Sequence, residues 1–94
     1  MKYHFHTARR DVPRLRARRG SRLCHVYSDR SLDELVDWGR ARGLKPEWID
    51  HKHALPHYDV RADTVAEHEP GVGRRELVTD IRRWRRSGRG GSVA

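Results

Sequence analysis

A helix with both ends marked lies near the middle of the chain, between Ser31 and Gly43. The tetrapeptide SLDE at residues 31–34 is a capping box, in which the Ser31 hydroxyl accepts from the backbone N–H three residues on. Gly43 ends the helix, and Pro46 prevents its continuation. The pattern therefore predicts an amphipathic helix whose apolar stripe comprises Leu32, Leu35, Val36 and Gly39, with Trp38 beside Leu35.

Three other segments alternate with the period of two that is typical of half-buried strands. In KYHFHTAR (2–9) aromatic residues alternate with histidines, and in RLCHVYSD (22–29) Cys24 and Val26 fall on one face. The opposite face of that second strand carries Leu23, His25 and Tyr27. A third strand, HYDV (57–60), is expected to enter the core through Tyr58 and Val60.

The segment RRELVTDIRRWRR (74–86) predicts a second amphipathic helix, with Leu77, Val78, Ile81 and Trp84 at helical spacing. The fold class is therefore α/β: one small domain over residues 1–86, with a sheet of about three strands and two amphipathic helices. Residues 87–94 are expected to be a disordered basic tail. Strand, helix and strand from 22 to 60 suggest a right-handed βαβ crossover, which would place a ligand crevice at the carboxyl ends of its strands.

Composition restricts where such a protein can work. No apolar run approaches the roughly 18 residues of a membrane span, and the single cysteine, Cys24, fits a reducing cytoplasm. Cys24 is interpreted as a small core residue. Hydrophobic residues are 35% and charged residues 36% of the chain, so the core is thin. A ligand, a metal or a second copy in a homodimer would help to stabilise it.

Positive charge is concentrated in two segments. Residues 9–22 hold seven arginines and one aspartate, and residues 82–94 hold five arginines and no acidic residue. Residues 23–81 hold eight basic and twelve acidic residues, so the centre is acidic. The arginines, Arg9 and Arg10 among them, could clamp a phosphorylated ligand, since a guanidinium matches phosphate oxygens. A nucleic acid bound along 9–22 and 82–89, or a solvated surface with no ligand, are the alternatives.

The stretch HKHALPHYDV (51–60) contains several side chains that can bind a metal ion or exchange a proton. His57 and Asp59 project to the same side of a strand, and His51 and His53 share that spacing if the loop is extended. Imidazoles and a carboxylate suit zinc or manganese, so the candidate ligands are His51, His53, His57 and Asp59. Solvent-exposed loop histidines are the alternative. Pro56 rules out a helical HExxH arrangement.

His25 is a second candidate, because it points away from Cys24 and shares a face with Tyr27, close to Asp29. The strand containing His25 and the strand containing His57 are expected to be neighbours. We therefore predict that the two imidazoles approach each other across adjacent strands, with His51 farther out.

The order of motifs resembles the small bacterial and phage proteins of domain-of-unknown-function family 4031. The matching pieces span residues 3–60 and are Tyr3, CHVYSD (24–29), LDEL (32–35), GL (43–44), Trp48 and HYDV (57–60). That family has no established activity, so the resemblance implies a shared site, comprising His25, Asp29, Trp48, His57, Tyr58 and Asp59. The family's first strand usually carries an acidic pair where this chain has His4 and His6, which would alter any metal site there.

The resulting hypothesis is a pocket of His25, Asp29, His57 and Asp59 that binds a divalent metal or a phosphorylated small molecule, with hydrolysis as the reaction. His25, His57 and Asp59 are the candidate catalytic residues. The candidate substrate-binding residues are Arg9, Arg10, Asp29, Trp48 and Tyr58. A non-catalytic nucleic-acid-binding module is the alternative, and an adaptor whose core is completed by a partner protein is a third.

Overall fold

The computed structural model describes residues 1–87. Strands β1 (Lys2–Thr7), β2 (Arg22–Tyr27) and β3 (Tyr58–Arg61) form one antiparallel sheet in the order β1-β2-β3. Two α-helices, α1 (Leu32–Arg40) and α2 (Arg74–Arg86), accompany it. Short 3-10 helices lie at Pro13–Leu15, Pro46–Trp48 and Ala62–His68. The predicted α/β class, with three strands and two amphipathic helices, is confirmed.

Helix α1 begins as the sequence predicts. The N–H of Glu34 donates to the Ser31 hydroxyl at 3.1 Å, while the Glu34 carboxylate accepts from the hydroxyl of Ser28 at 2.6 Å. The helix ends before Gly43, whose φ of +77° is the left-handed conformation that glycine adopts without strain. Both ends of α1 are therefore set by local side-chain and backbone bonds.

One side of the sheet, the core face, packs against α1. It consists of Tyr3, Phe5, Cys24, Val26, Tyr58 and Val60. Leu35 and Trp38 of α1 join the same cluster. Gly39 allows the close approach, since an added Cβ would lie 2.5 Å from the Tyr58 hydroxyl oxygen. Cys24 is fully buried, as expected of a core residue.

The predicted βαβ crossover is wrong. After α1, residues 41–57 carry the chain back along the molecule, so β3 starts beside the end of β2, with Tyr58 opposite Val26. β2 and β3 are consequently antiparallel, so the carboxyl end of β2 lies beside the amino end of β3 and not beside its carboxyl end. The crevice expected beyond those ends does not form, and the candidate residues converge on a face of the sheet.

The opposite side of the sheet is the histidine face, comprising Lys2, His4, His6, Leu23, His25, Tyr27, Asp59 and Arg61. Its Leu23 end is covered by the segment 8–21, through Ala8 and Ala17. Its other end contacts α2 through Asp80, whose carboxylate accepts from the Tyr27 hydroxyl at 2.7 Å and from the Lys2 ammonium at 2.8 Å. The middle of the histidine face lies between the segment 8–21 and α2.

Helix α2 contributes less apolar burial than its pattern indicated. Leu77, Val78, Ile81 and Trp84 are half-buried, and the buried residue of the helix is Asp80. No helix among the described residues is long and apolar enough to cross a bilayer. Ser87 closes α2, and residues 88–94, where most of the basic tail was predicted, lie outside the described part of the chain.

Candidate functional site

A row of polar side chains crosses the sheet, because His4 pairs with His25 and His25 pairs with Asp59. The backbone of His57 bonds away from β2, to Asp50, with N···O distances of 2.8 and 3.2 Å. By strand alternation the Asp59 backbone also points away from β2, so His25 and Asp59 form a non-hydrogen-bonded pair. Side chains stand closest in such pairs.

His25 and Asp59 are joined directly. The Nδ1 of His25 lies 2.5 Å from Oδ1 of Asp59, and since a carboxylate only accepts, Nδ1 carries the proton. The His57 ring lies on the other side, with its centroid 4.9 Å from that of His25. The predicted approach of His25 and His57 across neighbouring strands is therefore confirmed.

His57 is buried, and both of its ring nitrogens face oxygen atoms. Nδ1 donates to the Leu55 carbonyl at 2.7 Å, which fixes the proton on that nitrogen. Nε2 points toward two carboxylates, lying 3.5 Å from Asp59 and 3.9 Å from Asp50. Burial alone would lower the pKa of His57, but Asp59, the Leu55 carbonyl and Asp50 outweigh burial and raise it.

Asp59 is the residue that the other groups share. Burial would raise the pKa of its carboxyl, but the hydrogen bond from His25 and the nearby His57 imidazole hold that pKa well below its usual range. The exposed guanidinium of Arg14 lies 3.6 Å from Oδ2 and adds a further positive charge. The Asp59 carboxylate is therefore ionised. The imidazoles of His25 and His57, which can donate or accept a proton, lie next to it.

Asp50 belongs to the site and was not anticipated from the sequence. Its carboxylate accepts from the backbone N–H groups of Lys52 and His53, at 2.8 and 3.2 Å, and from His53 Nδ1 at 2.9 Å. These bonds lower the pKa of Asp50 against the opposing effect of burial. His53 is thus an exposed partner of Asp50, and His51 is exposed in the same loop.

His4 and His6 extend the cluster along β1. The His6 ring stacks on His25 with centroids 4.1 Å apart, and His4 lies 6.0 Å from His25 on the same face. His4 Nδ1 donates to the Val72 carbonyl at 3.2 Å. His6 Nε2 is buried and has no hydrogen-bond partner in the described part of the chain. Burial, followed by the neighbouring His25, lowers the pKa of this ring.

The remaining candidates lie elsewhere. Asp29 is 3.5 Å from the Lys2 ammonium, in the ion-pair group around Asp80. The Tyr58 ring is buried in the core, and its hydroxyl donates to the Lys45 carbonyl at 3.1 Å. Arg9 and Arg10 are exposed in the segment 8–21, and Trp48 is exposed beside a groove along β3.

Two groups of side chains bring three possible metal ligands within 4.8 Å of one another, and both use Asp59. Ligands of a tetrahedral zinc ion lie about 3.4 Å apart, given bonds of about 2.0–2.2 Å. In the first group, His6 with His25 and Asp59, the 2.5 Å hydrogen bond leaves no room for an ion between its partners. The second group is Asp50 with His57 and Asp59. Its distance of 3.5 Å between His57 Nε2 and Asp59 Oδ1 matches the spacing of zinc ligands.

Comparison with known proteins places the chain in a family. It belongs to the family described as protein of unknown function (DUF4031), whose profile matches residues 11–83. The match continues beyond the motifs at 3–60 and includes most of α2.

A similar curated protein is the uncharacterized protein YneQ of Bacillus subtilis (strain 168). It is 52% identical over 33 residues, which are 35% of this chain and 33% of that protein. The matched stretch thus spans about a third of the curated relative's length. No solved structure matches the chain.

Proposed function

We propose that this protein binds a divalent metal ion, zinc or manganese, through Asp50, His57 and Asp59, and uses it to hydrolyse a phosphorylated small molecule. One imidazole and two carboxylates are ligands that suit either ion. Three protein ligands leave a coordination position for a water molecule, whose pKa a bound ion lowers.

The orientation of His57 carries this proposal. Its Nδ1 proton is committed to the Leu55 carbonyl at 2.7 Å, the second contact that metal-binding histidines usually make. That leaves Nε2 directed at Asp50 and Asp59 from 3.9 and 3.5 Å, too far for good direct hydrogen bonds. A lone pair facing two carboxylates is unfavourable, so Nε2 in this position takes up a proton, in keeping with the raised pKa of His57, or a metal ion that contacts all three groups at once.

His25 supplies the second chemical group of the proposed reaction. Because Asp59 holds the Nδ1 proton of His25, the Nε2 atom of that ring is the proton acceptor of its neutral form. An imidazole oriented by a carboxylate is a suitable general base for a water molecule next to it. Arg14, 3.6 Å from Asp59, is placed to contact a phosphate oxygen of the substrate.

Isothermal titration with zinc and with manganese tests the metal site, using protein purified without a histidine tag. We expect one ion per chain in the wild type. His57→Gln should weaken binding by about tenfold or more, since even an outer contact of a metal site has that effect. His51→Gln is the matched control, because His51 is an exposed histidine of the same loop, and among the described residues no hydrogen bond or ion pair joins it to Asp50, His57 or Asp59. It should bind nearly as the wild type does.

The hydrolytic part is measured separately, with para-nitrophenyl phosphate as the substrate. Turnover should require the added ion, stop with a chelator, and fall in His25→Gln even when the ion is present at a saturating concentration. Absence of stoichiometric binding, or equal binding by wild type and His57→Gln, would contradict the metal site. Metal binding without turnover would leave a metal-binding protein and remove the hydrolase.

A further inference from the structure

A groove of about 880 Å³ runs beside β3, on the side away from β2. One part of its wall carries the carboxylates of Asp50 and Asp59, and another carries the indole of Trp48. Its volume is within the range of about 300–1,000 Å³ that is typical of small-molecule sites. Two of the three candidate metal ligands, Asp50 and Asp59, therefore line a space large enough for an organic substrate.

We infer that this groove binds a nucleoside phosphate, with the base against Trp48 and the phosphate at the basic rim, near Asp50 and Asp59. The inference deepens the proposed function, on which it rests for the contact between phosphate and metal. The contact between base and Trp48 does not depend on a metal, so the two ideas can be tested apart.

Trp48 has the properties of a stacking platform. It is the most exposed of the large hydrophobic side chains among the described residues, with 55% of its surface accessible. The ammonium of Lys45 lies over its ring, 5.7 Å from the centroid, and adds positive charge beside it. An aromatic side chain in a groove gains from a planar ring stacked upon it, and every nucleobase offers one.

The edge of β3 offers hydrogen bonds for such a base. β3 is an edge strand, and among the described residues its outer side pairs only through the bridge between Asp50 and His57. By alternation the backbone N–H and C=O of Asp59 and the N–H of Arg61 point to that outer side, where the groove lies, whereas the Arg61 C=O is the N-cap acceptor of the 3-10 helix Ala62–His68. A row of donors and acceptors next to an aromatic ring matches the edge and the face of a nucleobase.

The rim of the groove matches a phosphate. Arg14, Arg16, Lys52 and Arg61 line it. The Arg61 guanidinium already bonds Asp63 and the Arg16 carbonyl. Arg14 is 72% exposed, and within residues 1–87 its guanidinium reaches only the Asp59 carboxylate, at 3.6 Å. The carboxylates of Asp50 and Asp59 would repel a phosphate unless a cation neutralised them. The phosphate should therefore bind more tightly when the metal is present.

A small molecule fits these observations better than a nucleic-acid strand does. The basic residues of the groove come from the first arginine segment, from Lys52 and from Arg61. Among the described residues, none of positions 82–87 lines it, so the second arginine segment lies outside this space. A bound strand would need basic contacts that continue beyond one groove.

Indole N–H signals in proton–nitrogen NMR spectra test the inference residue by residue. The chain has three tryptophans, so Trp38 and Trp84 serve as internal controls, and Trp48→Phe identifies the Trp48 signal. Titration with adenosine 5′-monophosphate should shift the Trp48 signal far more than the other two. Adenosine should shift it with an affinity that zinc does not change, and ribose 5-phosphate should leave it in place.

Affinity measurements sharpen the result. Trp48→Ala should weaken adenosine 5′-monophosphate binding by about 5- to 150-fold, since stacking contributes about 1–3 kcal/mol per base. Trp48→Phe should retain most of the affinity. Zinc should strengthen binding of the monophosphate in the wild type and fail to do so in His57→Gln.

The outcomes separate the two proposals. If zinc does not bind but the monophosphate still shifts Trp48, the metal site is refuted and the nucleotide groove stands without it. If zinc binds and neither nucleotide nor nucleoside affects Trp48, the nucleotide groove is refuted alone. Binding of a twelve-nucleotide single strand more than about tenfold tighter than the monophosphate, with a steep salt dependence, would replace the small molecule by a nucleic acid.

Discussion

The two faces of the sheet are built from the same three strands and behave in opposite ways. On the core face, Cys24 and Val26 have no exposed surface and pack in the apolar cluster, and the one polar contact of the pair is the Cys24 thiol, which donates to the His25 carbonyl at 3.5 Å. On the histidine face, His25 and Asp59 remain partly exposed and are joined by specific hydrogen bonds. The difference teaches that the fold depends on one face and leaves the other available for chemistry.

Polarity alone does not identify the chemical region, because the histidine face also carries a structural polar contact. Asp80 is buried, and its carboxylate is bonded to both Lys2 and Tyr27. In the histidine cluster, by contrast, His6 Nε2 has no partner and His57 Nε2 is held 3.5 Å from the nearest carboxylate oxygen. Polar atoms that lack a full set of hydrogen bonds, rather than charge, distinguish the candidate site from the contact that Asp80 of α2 makes with the sheet.

The largest effect is expected on the core face. Leu35→Ala should lower the free energy of unfolding by about 2–5 kcal/mol, because it removes a buried side chain and leaves a cavity. Leu32→Ala, three residues earlier on the same helix, is the control and should have a much smaller effect, since Leu32 is exposed. Urea denaturation measures both. A similar loss for the two variants would mean that α1 is not packed through Leu35.

The second prediction concerns Gly39→Ala, which should change the stability in the direction opposite to the one that helix propensity predicts. In an exposed helix Gly→Ala stabilises by about 1 kcal/mol. At Gly39 the new Cβ would lie 2.5–2.7 Å from atoms of the Tyr58 side chain, so Gly39→Ala should instead destabilise by about 1–3 kcal/mol. Thermal denaturation gives the sign directly. A stabilised variant would show that α1 can move away from the core face.

On the histidine face, a substitution is expected to affect zinc binding more than the stability of the fold. Asp59→Asn should abolish zinc binding while changing the free energy of unfolding by at most about 1–2 kcal/mol. Asp63→Asn, an aspartate in the following 3-10 helix that pairs with Arg61 at the surface, is the control for lost charge. Thermal melts with and without zinc compare the three proteins. Equal zinc-induced shifts in wild type and Asp59→Asn would make Asp59 a structural residue.

Much of this arrangement was predictable from local patterns. Alternation placed Cys24 and Val26 opposite His25, and the capping box located α1. The approach of His25 to His57 followed from the prediction that their strands are neighbours, whereas the direct pairing of His25 with Asp59 was not predicted. The strand direction did not follow, because it depends on where residues 41–57 return the chain, and no local signal encodes that path.

The residues that were missed depended on register and on loop geometry. His4 lies beside His25 only because Lys2 pairs with Tyr27, and a slip of one residue would place an aromatic side chain there. Asp50 enters the site through a bridge to His57, closed by a loop in which Ala54 adopts a φ of +63°. Neither pairing has a signature in the one-dimensional pattern.

The smallest effect is a pH dependence, and it should differ between the metal-free and the metal-bound protein. The pKa of His57 is raised above its value of 6.5 in an unfolded chain, so protonated His57 contributes stability below about pH 6.5. That contribution is lost as the pH rises through the folded-state pKa. Between pH 6 and 8 the metal-free protein should therefore become less stable on account of His57.

Zinc should reverse that trend, because the ion replaces the proton on Nε2 and binds more tightly as proton competition falls. The zinc-induced rise in melting temperature should thus grow from pH 6 to 8. His6 works against His57 in the metal-free protein, since burial lowers its pKa and makes its protonation costly at low pH. The difference between wild type and His57→Gln isolates the His57 contribution: the variant should lose the fall in stability due to His57 and the pH-dependent zinc shift, and should keep the opposite contribution of His6. If the zinc-induced shift is instead constant over this range, no proton leaves the site when zinc binds, and His57 Nε2 is not a ligand.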